Sequence, residues 1–146
     1  MATMPRCEFE SKNLILRLET VIDARTDAIP PVVDSIMKMV TAMGCAAGKE
    51  HDVEVALFEA LANAVVHGCR NDSQKKVECC VACDESRGML IVIRDPGPGF
   101  DPKDIPSPVH GQNIFSTHGR GIFLINQLVD DVHYEKGGTE IHMRVN

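Results

Sequence analysis

The chain contains no tryptophan, one tyrosine and five phenylalanines, and its basic residues form no run longer than Lys75-Lys76. A surface that binds nucleic acid needs clustered cations for the phosphates and aromatic faces for the bases. Neither is present, and the formal charge is −6, so direct contact with nucleic acid is not expected. Long apolar runs are missing too. Every hydrophobic stretch is interrupted well short of the ~20 residues that a membrane-spanning helix needs. The opening MATMPRCEFE lacks the basic-then-apolar layout of a secretory signal, and the expected location is the cytoplasm, away from membranes. No repeat, low-complexity tract or linker divides the 146 residues. A single domain spanning 1–146 is expected, long enough to bury a substantial core.

Cysteine is not scarce: there are six. Without an export signal, a reducing compartment and free thiols are expected. The cluster Cys79, Cys80 and Cys83 raises the question of zinc, but no partner CxxC pair follows. Val77, Cys79, Val81 and Cys83 instead alternate as on the buried face of a strand, where free cysteine packs as a small hydrophobe.

The periodicities predict an ordered series of elements. NLILRLE, 13–19, reads as an opening strand. From Asp27 to Gly44 a helix is expected, with Pro30 and Pro31 in a first turn that needs no amide donors and Val33, Ile36, Met37, Val40 and Met43 at helical spacing. A second helix runs from about Glu50 to His67 and stops at Gly68. Strands at 75–83 and 89–94 form a hairpin around the DESRG turn. The stretch 95–118 is a loop carrying five prolines, and loops of that length are usually functional. GRGIFLINQLVDD opens a third helix, and the chain ends with two strands about a Gly-Gly turn. Helices bunched beside hairpins imply an α+β two-layer sandwich, with a mixed, mostly antiparallel sheet and helices on one face.

Two features carry chemistry. Glu59, Asn63 and His67 stand at i, i+4 and i+8 on the second helix, one polar stripe bordering the apolar one. Seen alone, that stripe is equally an ordinary solvated helix face. The apolar run LIVIR ends on Asp95 and hands over to Pro-Gly-Pro-Gly-Phe, 96–100. This is no phosphate loop, since no Gly-Lys-Ser/Thr follows, and no dinucleotide fingerprint, since no third glycine and no helix follow. Gly119 and Gly121 do open a helix, where backbone amides can approach an anion; a plain loop-to-helix connection has the same look.

In order, the set Glu-x-x-x-Asn-x-x-x-His-Gly, Asp-x-Gly-x-Gly-Phe, Gly-x-Gly and Gly-Gly-Thr resembles the histidine-kinase-like ATPase superfamily, the Bergerat fold. Within it the sequence is most similar to the small bacterial anti-sigma-factor serine/threonine kinases. The resemblance implies an ATP site in which Asn63 coordinates Mg²⁺ and Asp95 accepts a hydrogen bond from the adenine amino group. Gly97, Gly99 and Phe100 would form the wall under the purine, and Thr139 would share the adenine contact. Gly119, Arg120 and Gly121 match the segment that closes over the phosphates, and Glu59 matches the general base. His67 is expected to be structural, and His110 and His118 to be solvated loop residues. The resemblance further implies an anti-sigma-factor antagonist as substrate, a sigma factor as partner and a homodimer. A nucleotide-gated binding module without useful transfer activity is the alternative from another class.

Overall fold

A computed structural model describes residues 14–85, 88–98 and 117–146, with residues 117–120 described as backbone. Strand β1 (Leu14–Asp23) is followed by helices α1 (Ile29–Ala42) and α2 (Glu50–Asn63), then strands β2 (Lys76–Asp84) and β3 (Gly88–Arg94). Helix α3 (Thr117–Leu128) and strands β4 (Asp131–Glu135) and β5 (Glu140–Val145) complete the order. The five strands lie as β1-β2-β3-β5-β4. This is the α+β sandwich expected, with one correction: every ladder is antiparallel, and the sheet is not mixed. The crossover through α3 leaves β4 running in the direction of β3. Because β5 turns back and inserts between them, no parallel ladder forms.

Local chemistry explains the helices. Pro30 and Pro31 occupy the first turn of α1, where their fixed φ is already helical. Helix α1 ends as Cys45 N–H donates to the Val40 carbonyl at 2.9 Å, with Gly44 at φ +73°, a left-handed closure that favours glycine. Glu50 and Asp52 lie in the first turn of α2, opposite in sign to that end of the helix dipole. Past Asn63 the helix widens into a π turn, Ala64–Gly68, where Cys69 N–H donates to the Ala64 carbonyl at 2.8 Å. Such bulges are frequent at functional sites.

The core lies between the helices and one face of the sheet. Val33, Ile36 and Val40 of α1, Val53, Leu57 and Leu61 of α2, and Ile125 of α3 pack against Val77, Val81, Ile91, Ile93 and Met143. On the other face Cys80, Ala82 and Val92 form a separate small buried cluster. Val77, Cys79, Val81 and Cys83 do share the inner face, as their alternation implies.

The free-thiol expectation is corrected. Cys45 and Cys83 form a disulfide, with Cα atoms 6.1 Å apart, and Cys80 is disulfide-bonded as well. Cys45 follows α1 and is buried over the sheet, and Cys83 faces the helices from β2. A separation of 38 residues gives no sign in the sequence that the two will meet. Cys69 and Cys79 remain free and buried, and full burial pushes the Cys79 thiol up to about 12. No helix among the described residues is long and apolar enough to cross a membrane.

Candidate functional site

A cavity of about 380 Å³ opens where four parts of the fold converge. Ala60, Asn63, Ala64 and the turn through His67 and Gly68 form one wall, and Ile93, Asp95 and Pro98 continue it from the end of β3. Ile122 of α3 contributes from a third side, and Tyr134, Gly138, Thr139 and Ile141 from the last hairpin. Mostly apolar walls with a few convergent polar groups are the usual make-up of a small-molecule site.

Asp95 is held from three directions. Its backbone N–H donates to the Thr139 carbonyl at 2.9 Å, extending the β3–β5 ladder one rung past the strands. Gly97 N–H donates to Asp95 Oδ1 at 2.8 Å, folding the loop back beneath the carboxylate. Gly68 presses on it from the helix end: a Cβ there would lie 2.5 Å from both carboxylate oxygens. A Cβ on Gly97 would in turn overlap the Gly68 carbonyl. The pair of glycines is thus required by close packing around one carboxylate. Burial pushes the Asp95 carboxyl up from 3.8, partly offset by the Gly97 amide and by Lys75.

On the adjoining strand end Thr139 Oγ1 donates to the Lys136 carbonyl at 2.8 Å. Its proton is thereby engaged, and its lone pairs are left to accept. Burial lowers the His67 imidazole from 6.5, which favours the neutral ring at pH 7 and fits a structural role.

Glu59 and Asn63 stand one helical turn apart on α2, both half-buried. They meet at Gly121 on α3. A Cβ built there would lie 2.9 Å from Glu59 Oε2 and 3.3 Å from both the Oδ1 and Nδ2 of Asn63. Glycine at 121 therefore lets the α3 backbone settle onto the carboxylate and the amide together.

Of the residues singled out from the sequence, Asn63, Asp95 and Thr139 line the same cavity. Gly97 hydrogen-bonds to Asp95, and Gly121 packs so near Glu59 and Asn63 that a Cβ on it would crowd both. Glu59 does not line the cavity and reaches it only beside Asn63. Gly119 and Arg120 fall in the first turn of α3, which begins at Thr117, two residues earlier than expected. Gly99 and Phe100 lie outside the described residues, as does the loop 101–116 with His110. Sequence reasoning passed over Gly68, Arg70, Tyr134 and the isoleucines 93, 122 and 141, all of which line the cavity. Gly68 was visible as a helix stop and as the end of the His-Gly motif; nothing nearby in the chain signals its contact with a strand end 27 positions later. Tyr134 and Ile141 were readable as inward residues of alternating strands, without any sign that they face a hollow.

The chain is 28% identical over 130 residues to the serine-protein kinase RsbW of Bacillus licheniformis (strain ATCC 14580), covering 82% of this chain and 80% of that protein. It is 25% identical over 130 residues to the protein of the same name from Bacillus subtilis (strain 168), covering 85% and 81%. For the Bacillus thuringiensis (strain Al Hakam) protein of that name the identity is 27% over 134 residues, covering 84% and 81%. Residues 22–145 match the family model of the histidine kinase-like ATPase domain. With so much of its length matched, the chain belongs to the histidine kinase-like ATPase family.

Proposed function

We propose that this protein binds ATP in the cavity between α2, α3 and the last hairpin, and transfers its γ-phosphoryl group to a serine or threonine of a small anti-sigma-factor antagonist. One observation carries the reading: Asn63 and Asp95, far apart in sequence, line one hollow. The Asp95 carboxylate accepts from the adenine amino group, a charge-assisted bond contributing ~1.5–3 kcal/mol. Guanine offers a carbonyl oxygen at that position and is repelled. Thr139, with its proton already engaged, accepts alongside it, and Gly97 keeps the adjoining wall free of side chains. Gly99 and Phe100 are assigned to the same wall, and Gly119, Arg120 and Gly121 to closure over the phosphates.

Magnesium fits the donor set at Asn63, a neutral amide oxygen beside the Glu59 carboxylate. A hard cation that keeps its waters and draws charge from the triphosphate asks for no more. When bound, it neutralises phosphate charge. Glu59 accepts the proton of the attacking hydroxyl as the new oxygen–phosphorus bond forms and the bond to the β-phosphate oxygen breaks, releasing ADP. Transfer of this kind depends mainly on positioning and charge compensation. In this reading the protein is cytoplasmic and homodimeric, contacts neither nucleic acid nor membrane, and holds a sigma factor when its antagonist is phosphorylated.

The alternative is a nucleotide-gated binding module. It is favoured by the closeness of α3 to Glu59, since a Cβ on Gly121 would lie 2.9 Å from Oε2, leaving little room for a substrate hydroxyl. Incubation with labelled ATP, Mg²⁺ and candidate antagonists separates the two. Label on the antagonist, abolished by Glu59→Ala with nucleotide binding intact, is expected. Binding without transfer to any antagonist overturns the kinase in favour of the module.

A further inference from the structure

The outer face of the last hairpin, turned away from the nucleotide cavity, carries two His and two Glu side chains as adjacent cross-strand pairs. His133 of β4 is in register with His142 of β5, and Glu135 with Glu140. Side chains two residues apart on a strand share a face, and directly opposed residues have Cβ atoms ~4.5–5.5 Å apart. The four groups therefore form a compact square. Tyr134 and Ile141, between them in sequence, point through the sheet to line the cavity.

The imidazoles of His133 and His142 stack with centroids 4.7 Å apart and planes inclined by 13°. Both direct Nε2 at the same carboxylate: His133 Nε2 lies 3.2 Å from Glu135 Oε1, and His142 Nε2 lies 3.4 Å from Glu135 Oε2. Tetrahedral zinc, with bonds of ~2.0–2.2 Å to nitrogen and oxygen, sets neighbouring ligand atoms ~3.3–3.6 Å apart. The two spacings, one to each oxygen of Glu135, lie at or just below that edge length, and the ligand atoms of all three residues fall within 4.8 Å of one another, within reach of one ion after small side-chain rotations.

A second, independent observation concerns Glu140. Its carboxylate is nearly enclosed, with a side-chain exposure of 4%. Oε1 lies 2.8 Å from His142 Nε2, while Oε2 has no hydrogen-bond partner among the described residues. The ammonium of exposed Lys136 is 3.6 Å from that oxygen, and Arg94, in register with Glu140, directs its guanidinium to Glu78. The exposed Lys136 compensates this buried carboxylate only in part, and a further cation beside it lowers the cost of burying its charge.

We propose that this square is a binding site for a transition-metal dication of the zinc class, held by His133 Nε2, His142 Nε2 and the Glu135 carboxylate. The 2.8 Å hydrogen bond between His142 Nε2 and Glu140 Oε1 gives way as the metal takes the Nε2 lone pair, and Glu140 supplies the second negative charge from beneath. Two imidazoles and a carboxylate suit zinc and its neighbours and not magnesium or calcium, which take oxygen ligands. The fourth position faces solvent, because β4 is the edge strand and His133 and Glu135 are half exposed. A bound ion pins β4 to β5 beside the turn that carries Thr139.

The test is calorimetric titration of zinc chloride into the tag-free, chelator-stripped full chain. One equivalent is expected to bind, with affinity falling at least ~10-fold in His133→Ala and in Glu135→Ala and no binding at this site in His133→Ala/His142→Ala. Both single substitutions lie at exposed edge positions, so melting temperature without metal checks that the fold is kept. A wild-type chain that binds no zinc overturns the proposal. So does a double variant that binds as tightly as wild type, which moves the ion to other histidines or thiols. Displacement of zinc by a hundredfold excess of magnesium also overturns it.

Discussion

Gly68→Ala adds one methyl group to the most crowded point of the site. That methyl would lie 2.5 Å from both Asp95 oxygens, and the carboxylate has little room to withdraw. Its backbone N–H is committed to Thr139, and Oδ1 accepts from Gly97. Either the end of α2 lifts or the carboxylate turns out of the cavity. Overpacking of this kind costs ~1–3 kcal/mol, and a chain of this size loses about 2–4 °C of melting temperature per kcal/mol. Turning the carboxylate away also removes the charge-assisted bond to adenine, ~1.5–3 kcal/mol, which is roughly tenfold to a hundredfold in ATP affinity. Gly44→Ala serves as control. Its φ of +73° makes alanine strained, yet a Cβ there meets nothing within 4 Å, so stability falls by ~1–3 kcal/mol with nucleotide affinity unchanged. Calorimetric ATP titration at a temperature where both variants are folded decides. A folded Gly68→Ala protein with both wild-type stability and wild-type affinity refutes the reasoning.

Asp95 also sets a pH dependence. Burial raises its pKa above 3.8, so its contribution to stability is greatest below 3.8 and is lost as pH rises through the folded value. Binding runs the other way: adenine needs the ionised acceptor, so ATP affinity strengthens over that same rise, and this acid-range change disappears in Asp95→Asn, which binds roughly tenfold or more weakly throughout. Asn63→Ala is expected to fold normally and to bind nucleotide with the same affinity with or without Mg²⁺, as a paired titration shows. Ile125→Ala, at a fully buried position of α3, is expected to cost ~2–5 kcal/mol in chemical denaturation; a smaller loss means that α3 is not docked on the core.

Much of this fold was written in short-range patterns. The apolar stripes of α1 and α2, the alternation in β2 and the glycine turns each specify an element from neighbouring residues. Boundaries moved where tertiary pairing decided them. β1 continues to Asp23, past the expected end at 19, because its whole length pairs with β2. The expected second helix is α-helical only to Asn63 and then widens as a π turn, a change of hydrogen-bond register that helical spacing does not disclose. Asn63 and Asp95 were identifiable because their motifs are local. The Gly68–Asp95 contact, the Cys45–Cys83 bridge and the His133–His142 square were not, since each joins separate elements through the register of the sheet or the docking of a helix.

The rung from Asp95 N–H to the Thr139 carbonyl means that the two groups assigned to the base sit on adjoining main chains, one interstrand spacing of ~4.7–4.9 Å apart. Their separation is inherited from sheet geometry. In the proposed site, discrimination between purines therefore rests on a spacing as constant as the pleat itself.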